Sequence, residues 1–234
     1  MAAIAFAEFE ALTFDCYGTL IDWEAGISRA LGSMLSKHAV EPDVEGLLQR
    51  YAGHEAALEA GPYRRYREIL AEAARRVGRD LGVEPLEDEV EAFAASVGEW
   101  PAFPDSAAAL AGLAGRYRLG VITNCDDDLF AMSNRRLGVE FDWVVTAEQA
   151  GGYKPDPRNF ELAFSRMEIP RGRILHVAQS LFHDHVPAKA LGLTTVWIDR
   201  RRDRPGFGAT PPAEATPDLV LPDMASLAAV ALAD

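Results

Sequence analysis

Apolar and polar positions along this chain change their period twice. Residues 11–15, "ALTFD", form a short apolar run closed by a carboxylate, which reads as a buried strand. From about 24 to 98 apolar residues recur at three- and four-residue spacing. That predicts four helices at roughly 24–38, 43–60, 62–81 and 86–98, with breaks near Glu41-Pro42, Gly61-Pro62 and Glu84-Pro85. After "WPAFPDS" strand-like and helix-like segments alternate. Asp105 or Ser106 can cap a helix that runs to about Gly115. "RLGVITN" reads as a strand, 126–137 as a helix and "WVVTA" as a strand. The loop "GGYKPDP", a helix at about 158–167, the strand "ILHVAQ", a helix at 184–191 and the strand "TTVWID" follow. A proline-rich loop and "DLVLPD" close the pattern, ahead of an alanine-rich tail.

Strands alternating with helices imply right-handed βαβ units. The expected fold is therefore α/β, a Rossmann-like, mostly parallel sheet core with an inserted helical cap domain. The core domain is assigned to 1–19 and 99–234, and the cap to 20–98. Ligands in such sheets bind beyond the carboxyl ends of the strands, where Asp15, Thr123-Asn124 and Gln179-Ser180 all fall.

Composition narrows the partners. The chain has 234 residues, 49% hydrophobic and 25% charged, enough to bury a real core. Its net charge of −13 disfavours nucleic acid and anionic membrane surfaces. No apolar run approaches the roughly 20 residues of a membrane span. "MAAIAFAEFE" lacks the basic start of a secretion signal, so a cytoplasmic location is expected. Cys16 and Cys125 have neither metal-site nor disulfide-framework spacing and read as small packing residues. A homodimer is compatible with these numbers. Of 23 basic residues only Lys37, Lys154 and Lys189 are lysines. A loop lysine in so arginine-rich a chain hints that an ammonium is wanted there.

Loops at neighbouring strand ends can bring Asp15, Thr123-Asn124 and Lys154 together. A carboxylate attacks carbon or phosphorus only when it is ionised, desolvated and aimed. An adjacent ammonium keeps it ionised, and Lys154, between Gly152 and two prolines, is placed for that task.

Four segments carry a resemblance to a known family: "DCYGTL" (Asp15 to Leu20), "VITN", "YKPDP" and "HVAQSLFHD". In order and spacing they resemble the motifs of the haloacid dehalogenase superfamily over nearly the whole chain. Most of that superfamily are phosphatases with a second Asp two residues after the nucleophile, serving as the acid for the leaving alcohol. Here that position is Tyr17, whose phenol pKa near 10 makes it a poor acid at neutral pH. Phosphatases also resemble one another in an early motif-four Asp that helps hold Mg²⁺. Gln179 stands there, while the later Asp184 is kept. The D-x-Y-G-T form resembles the type II (L-2-haloacid) dehalogenases, whose halide leaves without a proton and without metal.

The resemblance implies roles. Asp15 would attack the halogen-bearing carbon, Thr19 and Thr123 would orient it, and Lys154 would steady it. Asn124 would help bind halide or carboxylate, Tyr17 would stand against the substrate, and Arg50 in the second cap helix would receive the departing halide. Asp184 would pair with Lys154 or help activate water, Ser180 would donate a hydrogen bond, and His183 would either activate water or cap the next helix. Motif four departs from the better-known S-S-N-A-W-D pattern by one extra residue, which leaves the asparagine at the water site without a counterpart. No metal and no cofactor are expected, and the substrate would be a small anion such as a haloacetate or 2-halopropionate. A Mg²⁺-dependent phosphatase of the same superfamily and a catalytically weak binding protein remain the competing readings. Trp23, Trp100 and Phe182 are candidates for the carbon side of the pocket or for the core. His176 and His185 read as structural, and "YRRYRE" (Tyr63 to Glu68) as a basic helix face.

Overall fold

The computed structural model describes residues 4–204, 206 and 208–233, so the first three residues of the stretch read for a secretion signal lie outside the described residues. Its centre is a six-stranded sheet: β1 Ala11–Phe14, β2 Arg118–Thr123, β3 Trp143–Thr146, β4 Ile174–Ala178, β5 Thr194–Ile198 and β6 Leu219–Leu221. The strand order is β3-β2-β1-β4-β5-β6 and every pairing is parallel. The expected mostly parallel sheet is therefore parallel throughout. β1 is central, with Phe14 in register with Val121 of β2 and Val177 of β4. All four of its residues are buried, which explains why its sequence is continuously apolar rather than alternating.

The insertion that follows β1 holds α1 Trp23–Ser36, α2 Val44–Glu59, α3 Tyr66–Asp80 and α4 Glu87–Ala95. Asp22 caps α1 through the Ala25 N–H at 3.1 Å, and Asp43 caps α2 through the Gly46 N–H at 2.7 Å. The start of α3 is capped from another element. Asp126, at the end of the β2 loop, accepts the N–H groups of Tyr66 at 2.8 Å and Arg67 at 3.0 Å. This bond fastens the helical insertion to the strand ends. A second fastening is Arg201, which donates to Glu24 of α1 and Glu45 of α2. Apolar packing joins the same parts: one cluster runs from Phe14 and Val121 through Ile27 and Trp100 to Leu70 and Val77. Gly26 belongs to this joint, because a Cβ there would stand 2.2 Å from the Trp100 ring.

The remaining helices flank the sheet: α5 Ser106–Ala114, α6 Asp127–Leu137, α7 Ala147–Ala150, α8 Arg158–Met167, α9 Val186–Ala190 and α10 Met224–Ala233. Two details differ from the sequence reading. A π-turn, Leu181–His185, precedes α9. The alanine-rich tail is the helix α10, packed on α5 through Met224, Leu227 and Ala231. No helix among the described residues is long and apolar enough to cross a membrane.

Candidate active site

Asp15 follows the last residue of β1 and its N–H donates to Val177 O at 3.1 Å, so the strand ladder fixes its backbone. The loop then turns through Gly18 at φ +93°, where a Cβ would meet Gln179 Oε1 at 3.0 Å and Trp23 Nε1 at 3.1 Å. That turn returns Thr19 to the carboxylate, and its Oγ1 donates to Asp15 Oδ2 at 2.7 Å. The same hydroxyl accepts the Gln179 N–H at 2.9 Å, tying motif one to motif four.

Lys154 completes the grip. Its Nζ donates to Asp15 Oδ1 at 2.9 Å, to Asp184 Oδ1 at 2.7 Å and to Ile122 O at 2.7 Å. An ammonium has three protons, and all three are engaged. Its loop is held by Asn124, which accepts the Lys154 N–H at 2.7 Å and donates to Lys154 O at 3.0 Å. Asn124 thus positions the lysine as well as facing the cavity. Asp184 also pairs with His176 Nε2 at 3.1 Å, and His176 Nδ1 lies 3.0 Å from Thr13 Oγ1. An ionised carboxylate only accepts, so His176 Nε2 donates to Asp184. His176, expected to be merely structural, therefore positions Asp184. The legible signal was a polar residue inside an otherwise apolar buried strand.

Burial pushes the Asp15 carboxyl above its ordinary value and Asp184 adds to the shift, while the Lys154 ammonium opposes it. The result is a desolvated carboxyl group beside a cation. Burial also acts on Asp184, but Lys154 and His176 overcome it and hold that carboxyl well below the usual range. Burial lowers Lys154, and the two carboxylates more than reverse this, so it stays an ammonium.

A cavity of about 30 Å³ opens over Asp15, lined by Tyr17, Trp23, Asn124, Ser180, His183 and Asp184. Glu55, Glu59 and Tyr66 of the helical insertion line it too. Glu59, Lys154 and His183 also border a larger cleft of about 530 Å³, lined by Tyr63, Tyr153 and Phe182 among others. Trp23 thus lines the inner cavity and Phe182 the outer cleft, whereas Trp100 is core.

The Tyr17 hydroxyl lies 2.9 Å from Ser133 Oγ and accepts from Cys125 Sγ at 3.3 Å. Ser180 caps the π-turn through the His183 N–H at 2.9 Å, and its Oγ lies 3.2 Å from His183 Nδ1. Burial lowers His183 to about 4, which leaves a neutral, weakly basic ring. Gln179 turns its Oε1 to the Thr210 hydroxyl at 3.2 Å and does not line the cavity.

Two of the expected site residues lie apart from these contacts. Arg50 is exposed on α2 and does not border the cavity. The buried face of that helix carries Leu47, Leu48, Tyr51, Ala52, Glu55 and Leu58, and Arg50 falls on the other side. Thr123 Oγ1 is buried at the end of β2 without a hydrogen-bond partner among the described residues, so Thr19 and Lys154 orient Asp15. Sequence reasoning missed Glu55 and Glu59, although a glutamate in phase with an apolar helix face is itself a signal.

The side chains around Asp15 and Asp184 are arranged as an ion-paired set. Lys154 stands between Asp15 and Asp184, Gln179 is turned away, and no group of three or more His, Cys, Asp or Glu among the described residues could hold a metal ion.

Residues 9–191 match the family model of the haloacid dehalogenase-like hydrolases. The (S)-2-haloacid dehalogenase H-109 of Pseudomonas putida is 27% identical over 222 residues, covering 88% of this chain and 92% of its own. A phosphoserine phosphatase of Thermus thermophilus is 32% identical over 191 residues, covering 77% of this chain and 71% of its own. The structure of the L-2-haloacid dehalogenase of Xanthobacter autotrophicus with chloropropionic acid covalently bound has a TM-score of 0.79 at 21% identity, with 95% of this chain and 98% of that chain covered.

Proposed function

The chain belongs to the haloacid dehalogenase-like hydrolases, and within that family we propose that it hydrolyses short 2-haloacids to 2-hydroxyacids through an ester on Asp15, without a metal. The observation that carries this reading is the pairing of Asp15 with Lys154 and Thr19 at 2.9 and 2.7 Å, with a tyrosine where a phosphatase needs its second carboxyl. Asp15 Oδ attacks C2, the C–halogen bond breaks, and halide leaves with the bonding pair. Lys154 lowers the cost of bringing the anionic nucleophile to the carbon. Water then attacks the Asp15 carboxyl carbon and releases the hydroxyacid. Asp184 Oδ2, buried and without a hydrogen-bond partner among the described residues, can orient that water. Tyr17, Asn124, Ser180 and His183 would border the substrate.

The test is a single turnover in H₂¹⁸O with excess enzyme. The hydroxyacid should be largely unlabelled and the peptide containing Asp15 should gain mass. Label in the first-turnover product, with none in Asp15, would overturn the covalent route. Halide release should also survive excess EDTA. The 32% identity to a phosphatase favours a second reading, Mg²⁺-dependent hydrolysis of a small phosphate ester. Turnover of p-nitrophenyl phosphate that needs Mg²⁺, with no halide from chloroacetate or 2-chloropropionate, would establish it instead. We further propose a core domain of residues 1–19 and 99–234, a cap domain of residues 20–98, a cytoplasmic location and a homodimer.

A further inference from the structure

The helical insertion lines the cavity over Asp15 with two carboxyl groups and the Tyr66 hydroxyl. Glu55 is 3% exposed, and the Glu59 side chain is 7% exposed. Glu55 Oε1 accepts from Tyr51 Oη at 2.6 Å and Tyr66 Oη at 2.7 Å, which fix it in place. Glu59 Oε2 accepts from Asn124 Nδ2 at 3.3 Å. Its nearest cationic candidate is His183 Nε2 at 3.9 Å, on a ring that is neutral at pH 7. Asp184 Oδ2 adds a third acceptor to the same cavity, buried and unpartnered among the described residues. The charged and amide side-chain donors on the walls are spent. Lys154 serves Asp15, Asp184 and Ile122 O, and Asn124 Nδ2 serves Lys154 O and Glu59. A plain haloacid brings only further acceptors, namely a carboxylate and a halogen. The walls instead call for a ligand that supplies donors and positive charge.

We propose that Glu55 and Glu59 are specificity-determining residues that receive an ammonium group, so that the preferred organohalide carries an amine beside its reacting carbon. This rests on the reading of Asp15 as the nucleophile, since that fixes which end of the substrate faces the helical insertion. No covalent step is added: the ammonium is bound, not transformed.

The experiment pairs two unreactive ligands of the same carbon skeleton. β-Alanine and propionate are titrated calorimetrically into the full-chain enzyme, and halide release is followed from 3-amino-2-chloropropionate and 2-chloropropionate. At pH 8, above the value of about 7 to which burial raises Glu55, β-alanine should bind about tenfold tighter or more, as a charge-assisted bond to a buried carboxylate implies. The amino substrate should lead in kcat/KM by a similar factor. Glu59→Gln should erase most of the β-alanine preference. Glu55→Gln should do so too, and if the loss of its tyrosine partners unfolds that variant, Glu59→Gln and the wild-type comparison still decide. Propionate binding as tightly as β-alanine, or a preference unchanged in Glu59→Gln, would overturn the inference. Halide from neither substrate with the β-alanine preference intact would refute the dehalogenase reading and support the ammonium receptor. Halide from both at equal rates, with equal binding, would do the reverse.

Discussion

Replacing Lys154 by methionine keeps side-chain length and removes the only ammonium bonded to Asp15 and Asp184 among the described residues. Three hydrogen bonds of 2.7–2.9 Å disappear, and two buried carboxylates are left facing each other. Breaking a buried pair in this way costs about 3–5 kcal/mol. The folded variant can recover part of that by binding a proton between Asp15 and Asp184. The sign then follows from linkage. In the wild type the depressed Asp184 contributes stability that is present above the unfolded carboxylate value and lost as pH falls through its folded value, so it is constant from pH 5 to 8. In the variant the folded state holds a proton that the unfolded state has released, and its stability falls as pH rises. The deficit measured by urea unfolding should therefore be larger at pH 8 than at pH 5. Activity should move the other way. Each unit by which the nucleophile's pKa exceeds the pH removes about a factor of ten of ionised Asp15. Halide release at pH 7 should drop by about one to two powers of ten and recover toward pH 9. A deficit below about 1 kcal/mol at both pH values, with a flat rate profile, would refute the claim that Lys154 holds the two carboxylates together.

Other consequences are more local. Thr19→Val removes the donor to Asp15 and the acceptor for Gln179 N–H, and should cost about 1–3 kcal/mol in thermal or urea unfolding together with about tenfold in kcat. Arg50→Ala should leave kcat and KM within about twofold of wild type, because this exposed side chain is away from the cavity; a collapse in turnover would restore it as the halide acceptor. Burial raises Glu55 to about 7, against the opposing bonds from Tyr51 and Tyr66, with Glu59 beside it. With the anionic 2-chloropropionate, kcat/KM should then fall as pH rises through about 7, as the ionising carboxyl repels the substrate, and Glu55→Gln should flatten that limb. Asp126→Ala uncaps α3 and should lower stability by about 1–2 kcal/mol, measurable as a shift of the urea midpoint.

The parallel core was legible because its signals are local. Apolar runs of four to six residues, each ending in a loop with Gly, Asp or Lys, place Asp15, Asn124, Lys154 and Asp184 at the strand ends before any coordinates. The helical insertion was legible as helices but not as a surface. Helical period marks which face of α2 is buried, yet not whether the neighbour is core or cavity, so Arg50 was picked by chemical type and Glu55 and Glu59 were passed over. The tail was misread for a related reason. α10 is almost uniformly apolar and small, so it shows no amphipathic stripe, and only packing against α5 makes it a helix. The cap of α3 by Asp126 could not be read at all, because it joins residues 60 positions apart.

These differences separate two kinds of information in the chain. Attack by Asp15 needs a few bonds of fixed length, and those bonds come from loops pinned by the sheet: Thr19 by Gln179 N–H, Lys154 by Asn124, and Asp184 by His176. Such positions tolerate little change, since an error of an ångström costs the ion pair. The wall from α2 and α3 meets a different demand, because it must only match the part of the substrate that does not react. Its chemistry can change sign without disturbing the nucleophile. In this chain Glu55 and Glu59 line the cavity where a receptor for two anions would carry positive charge. The attacking machinery thus supports the reaction type, and the acidic wall supports the substrate's charge. A variant that rewrites the wall, such as Glu55→Gln with Glu59→Gln, should shift preference toward plain haloacids while the ¹⁸O label still enters Asp15.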